Sequence, residues 1–300
     1  MKKSFRNHWQ LWVMLLPAAL YVLIFCYVPM YGIQLAFRDY NFAKGFTGGS
    51  FVGLKYFKQY FSSSMFLTTL RNTFSLSLTS ILLNFPAPII LAMIINQIRS
   101  RKWRKVVQTT VYIPYFISVV VLVSMLRILL ANNSGVIGNL LKSMGLVSQG
   151  TNIMGSASTF TPVFVLSGVW RNMGWNSIIY LAALSSVDTQ LYDSCKVDGA
   201  NRWQTMIHID FPTIVPTVVI LLILSMGSIL DVGFDKVYLM QNSLNLQISQ
   251  VISTYVYSVG IQSSQFSFAT AVGLFNNIVN FIFLMLTNFI SKRVSGTGLI

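Results

Sequence analysis

Glutamate is missing from this chain. The acidic residues are seven aspartates among 300 residues, set against 21 lysines and arginines, for a formal net charge of +14. Charge of either sign is scarce at 9% of residues, where a soluble domain carries roughly 25%. That shortage excludes a chain whose surface mostly faces water. It also excludes a nucleic-acid binder, whose basic residues would need a soluble domain to carry them. Only two cysteines occur, Cys26 in an apolar run and Cys195 in a polar loop, and their separation in membrane depth predicts no disulfide. His8 and His208 stand alone, so no metal site is expected. No GxxxxGK[ST] phosphate loop and no HExxH pair is present, which leaves the chain without the means to cradle ATP and without a recognisable catalytic set.

Hydrophobic residues make up 54% of the chain. They gather into six runs long enough to cross a hydrocarbon core, which needs about 20 residues. The runs lie near 11–35, 66–95, 106–130, 160–185, 212–234 and 268–290. The reading is an all-α, polytopic membrane protein with six transmembrane helices. Pro86 and Pro88 predict a kink in the second. The first, behind Lys2, Lys3 and Arg6, is too long for the core of a cleaved signal and is expected to stay as an anchor helix.

Lysine and arginine are retained on the cytoplasmic side, so their distribution predicts orientation. With the N-terminus inside, the inner segments hold twelve: Lys2, Lys3, Arg6, Arg99, Arg101, Lys102, Arg104, Lys105, Lys196, Arg202, Lys292 and Arg293. The outer segments hold six: Arg38, Lys44, Lys55, Lys58, Lys142 and Lys236. Both termini are expected in the cytoplasm, and so is the polar loop 186–211. Residues 36–65 and 131–159 read as ordered outer loops. In 235–267 the spacing of Val251, Ile252, Tyr255, Val256 and Val259 predicts one amphipathic helix.

The inner loop reads DSCKVDGANRWQTMIHIDFPTIVP from Asp193 to Pro216. Asp193, or Asp188 before it, can cap a helix start. Gly199 can take the positive φ that a helix end or sharp turn needs. A second short helix is expected over about Asn201 to Asp210, and Pro212 suits the restart of a helix where its missing N–H costs nothing. Trp203 and Met206 would form an apolar ridge, and Arg202 and Asp210 could meet charges in a partner's groove. Alternatively, Trp203 and Met206 anchor the loop at the bilayer surface.

This segment resembles the EAA signature of bacterial ABC importer permeases, which runs EAA, DGA, F, I and LP. Asp198, Gly199, Ala200, Ile209 and Pro212 match outright; Asp193 stands for the glutamate, Ser194 and Cys195 for the alanines, Met206 for the phenylalanine and Phe211 for the leucine. The runs GVWRNMGWNSIIYLAAL from Gly168, VISTYVYSVGI and FSFATAVGLFNNIV look like the carbohydrate branch of these permeases, nearest to subunits serving oligo- or polysaccharides. The resemblance implies a type I importer transmembrane domain over 66–290, preceded by a tail, first helix and outer loop in 1–65 and followed by a cytoplasmic tail in 291–300. It implies coupling to an ATPase through Asp193, Asp198, Gly199, Ala200, Arg202, Trp203, Met206 and Pro212. It implies as partners a second permease, two ATPase copies that bind ATP and Mg, and an extracytoplasmic solute-binding lipoprotein, all at a bacterial cytoplasmic membrane.

A sugar path needs aromatic faces and amides. Asn172 and Asn176 share a helix face, with Trp170, Trp175 and Tyr180 close by, and Asn277 and Asn280 form a stripe with Asn276 beside it. Such amides are costly in lipid and should face inward, toward either substrate or another helix. Arg171 would lie about 16 Å deep at the helical rise. A charge there costs about 2.5 to 3.5 kcal/mol unless it is paired or wet. It could meet the carboxylate of an acidic sugar or form a cation–π contact with Trp175. Two rival readings stay open: an importer of amino acids or peptides, and an ion-driven carrier using Asp231 or Asp235.

Overall fold

The computed structural model describes residues 9–45, 49–132, 134–295 and 298. Lys2, Lys3, Arg6 and His8 lie outside the described residues, as does most of the tail beyond Ser295. The regular elements are helical; the extended pairing among the described residues is two isolated bridges, Arg38 with Phe51 and Asn41 with Gly45. The chain divides into two compact units, Met1–Phe66 with Tyr255–Asn276 and Leu67–Thr254 with Asn277–Ile300.

In the first unit the helix Trp9–Val22 runs through a π turn, Leu23–Tyr27, into a 3-10 stretch, Val28–Phe37. Pro29 explains the change of winding, because it has no N–H to give back to the preceding turn, and Val28 N–H bonds instead to the Leu23 carbonyl five residues back. Every side chain from Trp9 to Tyr31 is exposed. An apolar helix with nothing packed on it suits lipid contact. The unit's core is aromatic: Tyr60, 1% exposed, has the rings of Phe61, Phe66, Tyr255, Phe268 and Phe275 at 5.1 to 6.2 Å. Ser267 ties the segment after Phe37 to this core by donating to the Arg38 carbonyl at 2.7 Å and accepting from Tyr40 N–H at 3.0 Å.

The second unit is organised on one long helix, Ala157–Leu184, which buries Phe160, Phe164, Val165, Tyr180 and Leu184 together with Ser167, Gly168, Gly174 and Ser177. Tyr180 and Leu184 pack with Ile89, Ala92 and Ile214; Phe160, Phe164 and Val165 pack with Leu76, Val123, Val237 and Met240. Gly174 permits the closest approach. A Cβ there would stand 1.9 Å from the Val111 carbonyl, so a helix meets a helix backbone to backbone.

Among the described residues, four helical stretches are long and apolar enough to cross a membrane: Trp9–Phe37, Ser64–Asn96, Arg202–Met226 and Phe266–Arg293. A fifth results if Arg101–Phe116 and Val119–Leu129, bent by 94°, are one broken span. The expected count of six is therefore not met on length and composition, because residues 160–185 lie in the 28-residue Ala157–Leu184 helix, which has the length but not the apolarity. Where a kink is expected at Pro86, Ser64–Asn84 and Pro86–Asn96 meet at Phe85, which keeps helical dihedrals, so the two form one stretch, Ser64–Asn96. The fifth run ends at Met226, short of 234. The single amphipathic helix expected in 235–267 is instead Phe234–Met240, Leu246–Ser249 and Ile252–Tyr257, the last continuing as a π turn to Gln262. Amides interrupt it: Asn245 Oδ1 takes Asn242 N–H, Asn242 Oδ1 takes Leu244 N–H, and Asn245 Nδ2 caps the Met240 carbonyl.

Candidate functional site

The polar loop is built from two helices joined at Gly199. Asp188, not Asp193, caps the first, Thr189–Val197, by accepting from Gln190 N–H at 2.9 Å. Asp193 lies inside that helix, paired with Lys196 at 2.7 Å, both side chains well exposed. The helix ends with Asp198 at its C-cap and Gly199 at φ +74°, Ala200 N–H bonding to the Cys195 carbonyl and Gly199 N–H to the Lys196 carbonyl. This is a Schellman motif, and it is why a glycine stands there. Asn201 opens the next helix with a reciprocal capping box: its Oδ1 accepts from Gln204 N–H at 2.9 Å and Gln204 Oε1 accepts from Asn201 N–H at 2.7 Å.

From Arg202 the helix continues, through a π turn at Met206–Asp210, straight into Phe211–Met226. Pro212 therefore does not restart a helix. It lies two residues past the π widening, in the place where an N–H for the preceding turn is missing. The expected ridge is also redrawn. Met206 is 7% exposed and packs inward, while Trp203 at 65% and Ile207 at 56% share the outer face four residues apart. Arg202 is exposed.

Asp210 is fully buried and does not reach outward for a partner's charge. Its carboxylate accepts from Tyr192 Oη at 2.6 Å, Gln97 Nε2 at 2.7 Å and Asn96 Nδ2 at 3.1 Å. Burial, reinforced by the bond to Asp210, pushes the Tyr192 hydroxyl up to about 12, so it remains a donor. Arg104 closes the arrangement by bonding the Asn96 and Ile98 carbonyls at 3.0 and 2.9 Å, where the Pro86–Asn96 helix ends. One carboxylate thus fastens the first loop helix to the ends of two others. The sequence signal was a lone aspartate two residues before Pro212, and nothing in the spacing linked it to Tyr192 or Gln97.

The same unit holds a cavity of about 970 Å³. Arg171, Asn172, Trp175, Asn176 and Tyr180 line it, all from one helix and all expected in a substrate path. Trp170, Asn276, Asn277 and Asn280 do not. Asn280 holds two segments together, accepting from Leu230 N–H at 2.9 Å and donating to Asp231 Oδ2 at 3.1 Å. Asn276 is buried and Asn277 exposed. Ser80, Asn84 and Lys236, from distant parts of the chain, join the lining unforeseen.

Arg171 does not stack on Trp175. Its guanidinium lies over Tyr115 at 5.5 Å, and Tyr115 in turn stacks on Trp175 at 4.5 Å and 3°. Arg171 Nε donates to the Ile117 carbonyl at 2.9 Å, inside the 94° bend where the backbone turns extended and leaves that carbonyl without a helical donor. The charge caps a broken helix. Lys236 Nζ donates to the Phe164 carbonyl at 2.6 Å and stands 4.5 Å over the Phe164 ring. Burial, then the nearby Arg171 charge, push its ammonium down to about 8.

Residues 84–296 match the family model described as binding-protein-dependent transport system inner membrane component. The chain is 40% identical to Protein LplB of Bacillus subtilis (strain 168) over 98% of this chain and 92% of that one. It is 41% identical to the polygalacturonan/rhamnogalacturonan transport system permease protein YteP of the same strain, over 96% and 89%. Among solved structures it resembles a chain of a bacterial ABC transporter involved in the import of the acidic polysaccharide alginate, with TM-score 0.87, 38% identity and 98% of both chains covered. A second, in complex with an alginate pentasaccharide-bound periplasmic protein, gives TM-score 0.88 at 38% identity over 99% of both chains.

Proposed function

The chain belongs to the family of binding-protein-dependent transport system inner membrane components and is a multi-pass permease subunit of an ABC importer, and we propose that its cargo is an oligo- or polysaccharide. The observation that carries the cargo is the cavity, whose lining sets the aromatic rings of Trp175 and Tyr180 beside the amides of Asn172 and Asn176, apolar surface and hydroxyl partners together. The relatives that import polygalacturonan, rhamnogalacturonan and alginate support the same class. The chain performs no catalysis of its own.

In this reading Ala157–Leu184 is a sixth span, tolerated despite its polarity because its amides and Arg171 face protein and cavity. The bent pair is one broken span, and both termini and the loop 186–211 are cytoplasmic. Trp203 and Ile207 are the apolar contact for a separate ATPase, one of two copies that bind ATP and Mg. The buried Asp210 contacts make the loop stiff enough to pass a push to the helices. A second permease and an extracytoplasmic solute-binding protein complete the type I assembly.

Two experiments test this. Vesicles holding the assembled complex should accumulate oligogalacturonate with ATP inside and regardless of a proton gradient; uptake driven by the gradient alone, or of peptides alone, would overturn the reading. In a Cys26→Ser background, a membrane-impermeant maleimide should label Cys195 only from the cytoplasmic side. Labelling from outside would overturn the orientation.

A further inference from the structure

Two cations line this cavity, and among the described residues neither forms an ion pair. Arg171 is committed, with Nε on the Ile117 carbonyl, an Nη on Asn172 Oδ1 at 3.5 Å and its face on Tyr115. Lys236 is not. Its ammonium has three protons, and one goes to the Phe164 carbonyl. Asp231 and Asp235 also line the cavity but are exposed, and Asp231 accepts from Asn280. A half-buried ammonium beside a second positive charge is costly to hold without an anion.

The backbone leaves room at that point. A Cβ added to Gly168 would stand 3.3 Å from Lys236 Nζ and 3.4 Å from Asn84 Oδ1. Any larger side chain would cover the ammonium. Next to it, Asn84 Oδ1 and Ser80 Oγ, on two residues of the cavity lining, are buried without a hydrogen-bond partner.

Resting on the saccharide reading above, we infer that Lys236, reached over Gly168, receives the carboxylate of a uronic-acid unit, while Ser80 and Asn84 take that unit's hydroxyls. The pairing is local, one carboxylate on one ammonium. With the two aspartates on the same lining the cavity is no uniformly positive funnel, so it selects an acid at this one position. The lowered proton affinity of Lys236 is the same physics seen without ligand, since an arriving carboxylate would relieve it.

The test uses the whole complex in nanodiscs without its binding protein, with saturation-transfer NMR of trigalacturonate and of its methyl ester, and vesicle uptake of the same pair. Lys236→Met should weaken the free acid about tenfold, the size of one charge-assisted hydrogen bond, and leave the ester within about twofold. Lys236→Arg should keep most of the acid preference, and Gly168→Leu should remove it. Should Lys236→Met lower acid and ester equally, the lysine is only a tether for Phe164 and the inference falls. It falls too if the variant changes neither, or if the native complex binds the ester as well as the acid. A native complex that takes up neutral oligosaccharides but no acid sinks this inference alone, whereas one that takes up no saccharide sinks the function reading with it.

Discussion

The helix from Trp9 and the helix Ala157–Leu184 are of similar length and opposite construction. The first carries no charged residue and buries no side chain up to Tyr31. The second carries Arg171, Asn172, Asn176 and several serines, fails as an apolar span, and buries nine residues. In water the order would be reversed. Lipid tails are as apolar as leucine, so apolarity marks the lipid-facing surface, while small and polar residues mark contact between helices. Gly174 and Ser177 are buried for that reason, and Leu11 and Met14 are exposed for the same one.

The comparison can be broken most directly at its glycines. Gly174→Leu drives a side chain into the Val111 carbonyl and should abolish recovery of folded protein, while Gly32→Leu, with nothing within 4 Å of its Cβ, should leave it unchanged. Size-exclusion yield after detergent extraction reads both. Next in size are the aspartates. Asp210→Ala leaves the Tyr192, Asn96 and Gln97 donors unsatisfied in a buried site and should cost about 3 kcal/mol. In complexes that still assemble, ATP hydrolysis should persist while uptake falls more than about tenfold; equal loss of both would count against a transmitting role.

Smaller effects sharpen the contrast on the exposed loop. Gly199→Val must hold φ +74° with a branched side chain and should cost about 1 to 2 kcal/mol, with Gly199→Asn milder because asparagine tolerates that region. Nothing crowds the position, so the loss is conformational. A thermal melt of the purified permease, followed by ATP-driven uptake, should rank glycine above asparagine above valine. Smallest is Asp193→Ala, which removes an exposed pair with Lys196 and should shift stability by no more than about 0.5 kcal/mol. A larger shift would mean that Asp193 meets something outside this chain.

Much of the loop was legible because its signals are local. The helix end expected at Gly199 and the helix start expected at Asn201 both rest on bonds that span no more than five residues. The exposed face of the second helix is not legible in the sequence, where Trp203 and Met206 make the expected ridge, because which side is covered depends on what packs there. On Ala157–Leu184 the cavity-facing residues Asn172 and Asn176 followed from helical periodicity, yet the partner of Arg171 did not. Tyr115 and Ile117 reach it only because the preceding helix breaks by 94°.

The sequence by itself determined that this is a membrane protein, from scarce charge and long apolar runs, and the resemblance of the loop around Gly199 to the EAA signature implied a permease. Only the tertiary structure decided which polar groups are spent on holding helices and which stay open to a ligand. Asn280 and Arg171 are spent on backbone groups, and Lys236 keeps protons to give. The physical reason is that a hydrogen bond is settled by distance in space, and a chain that bends and breaks brings together atoms its order keeps far apart.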